Sequence, residues 1–181
     1  GGFWASDNAT VDFALKNNTQ VAITGNKIVD SGNFNGRGGG FWASTESKVT
    51  IHAGGTGQSV DLNGNQTNQH GGAFSADGGH VTITSGDKSV ISNYDLTTTV
   101  HDGEDGGVGA AFYVGNLGKV NITNVDIKNN TSDTGGGGFF SSYQSEVTLT
   151  NVEISGNTAN TQGSTVNNDN FTNGGGGFYS R

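Results

Sequence analysis

The chain has 181 residues, among them 33 glycines, and it contains no proline, cysteine or methionine. Its formal net charge of −8 disfavours nucleic acid or an anionic membrane as a partner. The absence of cysteine excludes disulfides and thiolate metal sites, and no apolar run approaches the roughly 18 residues of a membrane-spanning helix.

The chain opens with the phrase "GGFWAS" (Gly1–Ser6), and related glycine-rich phrases recur as far as "GGGGFYS" (Gly174–Ser180). Each of the six phrases is centred on one phenylalanine: Phe3, Phe41, Phe74, Phe112, Phe139 and Phe178. Consecutive phenylalanines are 38, 33, 38, 27 and 39 residues apart. A self-similar period of this size is typical of repeat architectures. Because the chain begins and ends within the phrase, we expect residues 1–181 to form one segment of a longer repeat protein.

Two short segments follow the phrase, and each contains a pair of apolar residues separated by one residue, which is polar in every pair except Val21/Ile23. The first pairs are Val11/Phe13, Val49/Ile51, Val81/Ile83, Val120/Ile122 and Val147/Leu149. The second pairs are Val21/Ile23, Val60/Leu62, Val125/Ile127 and Val152/Ile154, whereas the third repeat ("KSVISNY") keeps the apolar character but shifts the frame. Alternation with period two predicts β-strands, so each repeat contributes three short strands.

Three strands that each bury two positions cannot form an independent domain, but stacking the repeats buries them all. The sequence therefore predicts an all-β protein, a single-stranded right-handed parallel β-helix (solenoid) of about five turns with three strands per turn. The right hand is expected because parallel crossovers almost always adopt it.

Alternation within the glycine-rich phrase also predicts an outward row of aromatic side chains. The residue after each phenylalanine points outward, which gives a candidate ligand-binding strip of Trp4, Trp42, Tyr113, Phe140 and Tyr179, interrupted by Ser75. At one rung per turn the strip is about 20 Å long, and its flat apolar faces suit sugar rings or a protein partner. The alternative is that an insertion covers the strip or that it serves only cross-strand packing.

An asparagine follows the second apolar pair by three residues in four repeats: Asn26, Asn65, Asn130 and Asn157. In the third repeat Asn93 or Tyr94 is the candidate for this position. We expect a structural ladder of stacked amides that satisfies buried backbone groups, in preference to a ligand site.

Acidic residues offer few sites for chemistry. Asp102, Glu104 and Asp105 in "HDGEDGG" (His101–Gly107) form a weak Ca²⁺ candidate, but a solvated acidic loop is the favoured interpretation. Asp61, Asp126 and Glu153 recur one per turn and are expected on a solvated face. Because these acids recur singly and do not converge on one site, no catalysis is expected. The four histidines lack metal-ligand spacing, so no cofactor is expected beyond the weak Ca²⁺ candidate.

Threonines form two further outward files, Thr50, Thr82 and Thr148 in one and Thr84, Thr123 and Thr150 in the next. Such a T-x-T array is similar to the ice-binding face of some β-solenoid antifreeze proteins. Thr is also a good exposed strand residue, which is the simpler interpretation.

The phrases "GGAFSA" (Gly71–Ala76) and "GGGFWA" (Gly38–Ala43) resemble the GGA-[large apolar] repeat of chlamydial polymorphic outer-membrane proteins, and "ISGNTA" (Ile154–Ala159) resembles their F-x-x-N repeat. The resemblance implies the extracellular or cell-surface passenger of an autotransporter-type protein, with adhesion as its role and no catalytic residue. The expected partner is a host or surface glycan or protein. Neighbouring copies stacked end to end, as a filament, are the next alternative, followed by a polysaccharide-acting enzyme and an ice-binding protein.

Overall fold

A computed structural model describes residues 2–15, 19–28, 36–67, 69–91, 94–95, 107–132, 135–159 and 175–180. Within these residues all regular structure is β, and every pairing between named strands is parallel. One six-stranded sheet is made of the strands that carry the glycine-rich phrase. In spatial order these are β1 (Phe3–Ala5), β4 (Phe41–Ser44), β8 (Phe74–Asp77), β11 (Phe112–Gly115), β14 (Phe139–Ser141) and β18 (Phe178–Ser180).

The second sheet carries the first apolar pairs. Its order is β15 (Glu146–Thr150), β12 (Lys119–Lys128), β9 (His80–Ile91), β5 (Lys48–Ala53) and β2 (Thr10–Ala14), and β16 (Ile154–Ser155) pairs with the far end of β12. The third corner is made of β17 (Thr158–Ala159), β13 (Thr131–Ser132), β10 (Tyr94–Asp95) and β7 (Gln66–Thr67), and β3 (Gln20–Ala22) pairs with β6 (Ser59–Asp61). Strands from successive repeats thus lie side by side, and the predicted parallel β-solenoid is confirmed.

The six phenylalanines form one continuous stack, as the repeat predicts; the four middle rings are buried in the interior, whereas Phe3 is partly buried and Phe178 is 53% exposed. Neighbouring ring centroids are 4.8 to 5.1 Å apart, and neighbouring ring planes lie within 7° of parallel. This spacing matches the distance between adjacent strands, so each ring repeats the position of the ring one coil away. Val49, Val81 and Val120 align in the same way in the second sheet and are fully buried.

The third repeat departs from the simple pattern because β9 contains extra residues. Its register against β12 shifts after Thr84, so that Ser89 pairs with Val125 and Val90 with Asp126. The buried position of Val125 is therefore matched by a serine, while Val90 faces solvent. Ser89 Oγ compensates by bonding Ser85 Oγ at 2.7 Å and accepting from the backbone N–H of Val60.

Glycine opens the repeated phrase for a steric reason. Gly71 has φ +72°, and a Cβ atom there would lie 1.9 Å from the carbonyl oxygen of Phe74. Gly38 has the same conformation before Phe41, with 1.8 Å to the corresponding oxygen. The chain at this corner curls over the first strand, which only a residue without a side chain allows.

Amide groups line the corner after the second apolar pair. Asn65 is fully buried, its Nδ2 donates to the carbonyls of Ile23 and Leu62, and its Oδ1 accepts from Asn26 Nδ2 at 3.0 Å. Asn130 Nδ2 donates to Asn157 Oδ1 at 2.9 Å in the same manner.

Tyr94 does not occupy this amide position, since it pairs with Gln66 and Thr131, which follow the asparagines. Asn93 lies outside the described residues.

Candidate functional site

The outward aromatic row exists, but only part of it reaches solvent. Trp4 is 64% exposed and stacks on Trp42 at 5.1 Å, and Trp42 is half-buried. Tyr113 and Phe140 are only 5% and 2% exposed, while Tyr179 is half-buried. The prediction of a continuous exposed strip is therefore wrong for Tyr113 and Phe140, which cannot present a ring face to a ligand.

A second layer of chain causes this burial. Arg37, His70, Val108 and Gly135 each lie four residues before a core phenylalanine, and consecutive members form parallel bridges. Val108 packs with Tyr113 and Phe140 in a small apolar cluster outside the main core. This layer, contributed by the segments that precede the glycine-rich phrases, covers the middle of the aromatic row. Coverage by inserted chain is the alternative that the sequence left open.

The row is interrupted at Ser75, and the side chain of Arg37 fills the gap. Ser75 lies between Trp42 and Tyr113 in register. The Arg37 Cζ atom is 6.0 Å from the Trp42 ring centroid and 5.8 Å from that of Tyr113, so the guanidinium lies between the two rings. Arg37 also forms an ion pair with Asp77, at the end of β8. A cation between aromatic faces is attracted by both quadrupoles.

His70 completes this cluster by stacking on the Tyr113 ring at a centroid distance of 4.8 Å. Burial, together with the positive charge of Arg37, lowers the pKa of His70 from 6.5 to about 3, against a smaller opposing effect of a backbone hydrogen bond at Gln69. The imidazole is therefore neutral at physiological pH. We call Trp4, Trp42, Arg37 and His70, together with the buried Tyr113 that supports them, the aromatic–arginine face.

Four buried polar atoms at this face have no hydrogen-bond partner among the described residues. They are Arg37 Nε, Trp42 Nε1, His70 Nδ1 and Ser75 Oγ. Unsatisfied buried polar groups cost folding free energy and are uncommon in native proteins. Their concentration here is typical of a functional site. Sequence reasoning missed Arg37 and His70, because their only signal is the fixed offset from phenylalanine and the residue types differ.

Of the three recurring acids, Glu153 is exposed as predicted, whereas Asp126 departs from the predicted solvated face. Asp126 is buried and forms ion pairs with Lys88 at 2.8 Å and Lys128 at 2.9 Å, and Lys128 also pairs with Glu153 at 2.8 Å. Burial by itself would raise the pKa of Asp126, but hydrogen bonds from Lys88, the Glu153 backbone and Lys128 lower it to about 2. The third acid, Asp61, accepts a hydrogen bond from the backbone N–H of Asn63. Asp126 is thus charged at neutral pH, where it is the shared partner of two lysines.

The threonine files have the predicted register in part. Thr50 pairs with Thr82, and Thr84 pairs with Thr123, which pairs with Thr150. Thr148 pairs with Asn121, which interrupts its file. The other interruptions are Asp12, Ala14 and His52.

The Ca²⁺ candidates Asp102, Glu104 and Asp105 lie outside the described residues. Among the residues with described positions, no three His, Cys, Asp or Glu side chains gather closely enough to hold a metal ion. No helix suited to crossing a membrane occurs in the described ranges. No protein-family model matches the chain, and neither does any curated protein or solved structure.

Proposed function

We propose that this chain is a non-enzymatic, surface-exposed or secreted β-solenoid of the adhesin passenger type, which attaches to carbohydrate through the aromatic–arginine face. The observation that carries the proposal is the stacked pair Trp4–Trp42 with the Arg37 guanidinium beside it. Aromatic faces pack against the C–H faces of sugar rings, and neighbouring polar groups bond the hydroxyls.

The chemistry of the remaining polar groups supports binding over catalysis. A glycosidase needs two carboxyl groups facing one cleft, one of them able to donate a proton. Asp126 and Glu153 instead share Lys128, and the pKa of Asp126 lies far below the range of a general acid.

The regularity of the fold supports a role as a stalk. Each coil contacts its neighbours through the same stacked rungs, so the solenoid is a rod whose length follows from the number of repeats. Such a rod holds a lateral binding face away from the surface to which it is attached.

A glycan-array screen followed by isothermal titration calorimetry tests the proposal. We expect Trp4→Ala to weaken binding of the selected glycan about tenfold, on the order of the 1–3 kcal/mol of a lost aromatic contact. The matched control is Tyr143→Ala, which removes another exposed aromatic residue that is not a member of the row. Absence of glycan binding, or equal affinities for the wild type and Trp4→Ala, contradicts the proposal.

A further inference from the structure

A groove of about 590 Å³ lies at the corner between the first and second sheets. Its volume is in the range of small-molecule sites. The lining residues are Asn8, Thr45, Glu46, Lys48, Gly78, His80, Asn116, Leu117 and Lys119.

The groove exists because one coil turns this corner with less chain than its neighbours. Asp77 aligns with Ser44 and Gly115, and His80 aligns with Lys48 and Lys119. In the middle coil two glycines, Gly78 and Gly79, make a connection for which each adjacent coil uses three residues. Gly79 packs closely against Ala43, whereas a Cβ atom on Gly78 would meet the flanking corners only at 3.4 Å (Asn116 carbonyl oxygen) and 3.5 Å (Thr45 nitrogen). Because Gly78 has no side chain, the space between those corners stays open.

The floor of the groove carries basic groups at regular spacing. Lys48, His80 and Lys119 occupy equivalent positions on three adjacent strands, which places the two lysines about 10 Å apart with the imidazole between them. Lys48 has no ion pair among the described residues, and Lys119 pairs with the exposed Glu146 at 3.2 Å. Glu46 is the acid on the rim. In a chain of net charge −8, the lining of this groove carries two lysines against one acid, and Lys48 is the lysine without an acidic partner among the described residues.

The groove is connected to the aromatic–arginine face. Asn116 Nδ2 donates a hydrogen bond to Asp77 Oδ1, and the other oxygen of Asp77 is paired with Arg37. Asn8 and Asn116 add amide groups that bond hydroxyls, and Leu117 adds apolar surface. Asp77 therefore contacts a residue of each region.

We propose that the groove binds the carboxylate of an acidic sugar unit, with Lys48 and Lys119 as its cationic partners and the asparagine amides as partners for ring hydroxyls. This inference rests on the proposed glycan-binding function and narrows the ligand to acidic glycans. Ammonium–carboxylate hydrogen bonds are about twice as strong as neutral ones, which accounts for selection of the charged sugar.

The test compares digalacturonate with a neutral digalactoside of the same length, by calorimetry at low salt and by the NMR signals of His80. We expect wild-type protein to prefer digalacturonate at least tenfold. Lys48→Gln combined with Lys119→Gln removes that preference, and Glu46→Gln raises affinity for digalacturonate two- to fivefold. Lys27→Gln, which removes an exposed lysine outside the groove, leaves both affinities unchanged.

A second variant fills the groove without changing its charge. Gly78 has φ +74°, a conformation that asparagine tolerates, so Gly78→Asn is expected to fold and to exclude the sugar. Equal wild-type affinities for the two probes, or unchanged digalacturonate binding in either the double lysine variant or Gly78→Asn, overturn the inference.

The outcomes separate this inference from the proposed function. If Trp4→Ala weakens both probes and the lysine variants weaken neither, the glycan-binding function stands and the acidic groove fails. If digalacturonate shifts the His80 signals while Trp4→Ala has no effect, the groove stands and the aromatic–arginine face fails. If neither probe binds, the groove assignment is overturned.

Discussion

The side chain of Arg37 is ion-paired with that of Asp77, forty residues further along the chain. The ion pair links the outer layer, to which Arg37 belongs, to β8. This strand has Ser75 where the neighbouring strands have an outward aromatic residue. Arg37 thereby replaces the missing rung at Ser75 and lies between Trp42 and Tyr113.

Replacement of Arg37 is expected to destabilise the fold. Arg37→Ala leaves the half-buried Asp77 carboxylate without its cation and opens the gap between two rings, so we expect a loss of about 1–3 kcal/mol in the free energy of unfolding. Arg37→Lys restores only part of it, because an ammonium lacks the planar, multiply donating guanidinium. Urea denaturation measures both. A loss for Arg37→Ala no greater than that for Lys27→Ala argues against a stabilising role for the Arg37–Asp77 ion pair.

Two buried serines should respond in opposite directions to the same substitution. Ser75 Oγ has no partner among the described residues, so Ser75→Ala removes an unsatisfied group and should be neutral or stabilising by up to about 1 kcal/mol. Ser47 Oγ donates to the carbonyl of Ala5 at 3.1 Å, so Ser47→Ala should cost about 1 kcal/mol. Both side chains are fully buried, which makes the pair a matched comparison by chemical denaturation. Equal losses contradict the assignment of partners.

His70 should make stability depend on pH below neutrality. Its folded-state pKa is lowered to about 3, so between pH 6.5 and 3 the unfolded chain binds a proton that the folded chain does not. Stability is therefore expected to fall as the pH falls through this window, by up to about 1.4 kcal/mol per pH unit from this one group. His70→Gln should flatten the slope between pH 6.5 and 4. Parallel stability curves for variant and wild type contradict the prediction.

Asp126 should also make stability depend on pH, in a lower pH window than His70. Here the folded chain loses a negative charge on protonation, whereas the effect of His70 comes from a positive charge gained by the unfolded chain. Its pKa is lowered from 3.8 to about 2 in the folded state, so its stabilising effect is complete above pH 4 and is lost as the pH falls towards 2. Asp126→Asn should reduce the free energy of unfolding at pH 7 by about 1–2 kcal/mol, since its lysine partners are partly exposed and screened. The difference from wild type should shrink between pH 4 and 2 in thermal melts. A difference that does not change with pH excludes the ion pairs as its cause.

Two left-handed glycines should differ in their tolerance of alanine. Gly71→Ala places a Cβ against the Phe74 carbonyl, and we expect a loss of at least about 3 kcal/mol. Gly25 has φ +66° but no atom within 4 Å of a Cβ, so Gly25→Ala should cost only the conformational penalty of about 1–2 kcal/mol. Urea midpoints provide the comparison. Similar losses at the two positions imply that the close approach at Gly71 relaxes without cost.

The repeat determined most of the core in advance. A two-residue alternation assigns each side chain to the inside or the outside of a strand, and a recurring phrase assigns it to a rung. Phe41, Phe74 and Phe112 therefore had to stack once their strands were parallel and adjacent, and their rings do so at 5.0 Å. In the third repeat the extra residues of β9 are compatible with more than one register, and only the structure shows that Ser89 lies opposite Val125.

The parallel solenoid, the interior rungs and the outward side of each strand all follow from the repeat pattern of the amino-acid sequence. Which of the outward side chains meet solvent follows instead from the packing of distant segments. Arg37, His70 and Val108 lie at one offset from phenylalanine but share no chemistry, so no pattern shows that they form a layer over Tyr113 and Phe140. Likewise, the groove beside Lys48 arises from the difference in length between neighbouring corners. Exposure depends on what long-range chain packing places against a residue, and alternation along a strand carries no information about that.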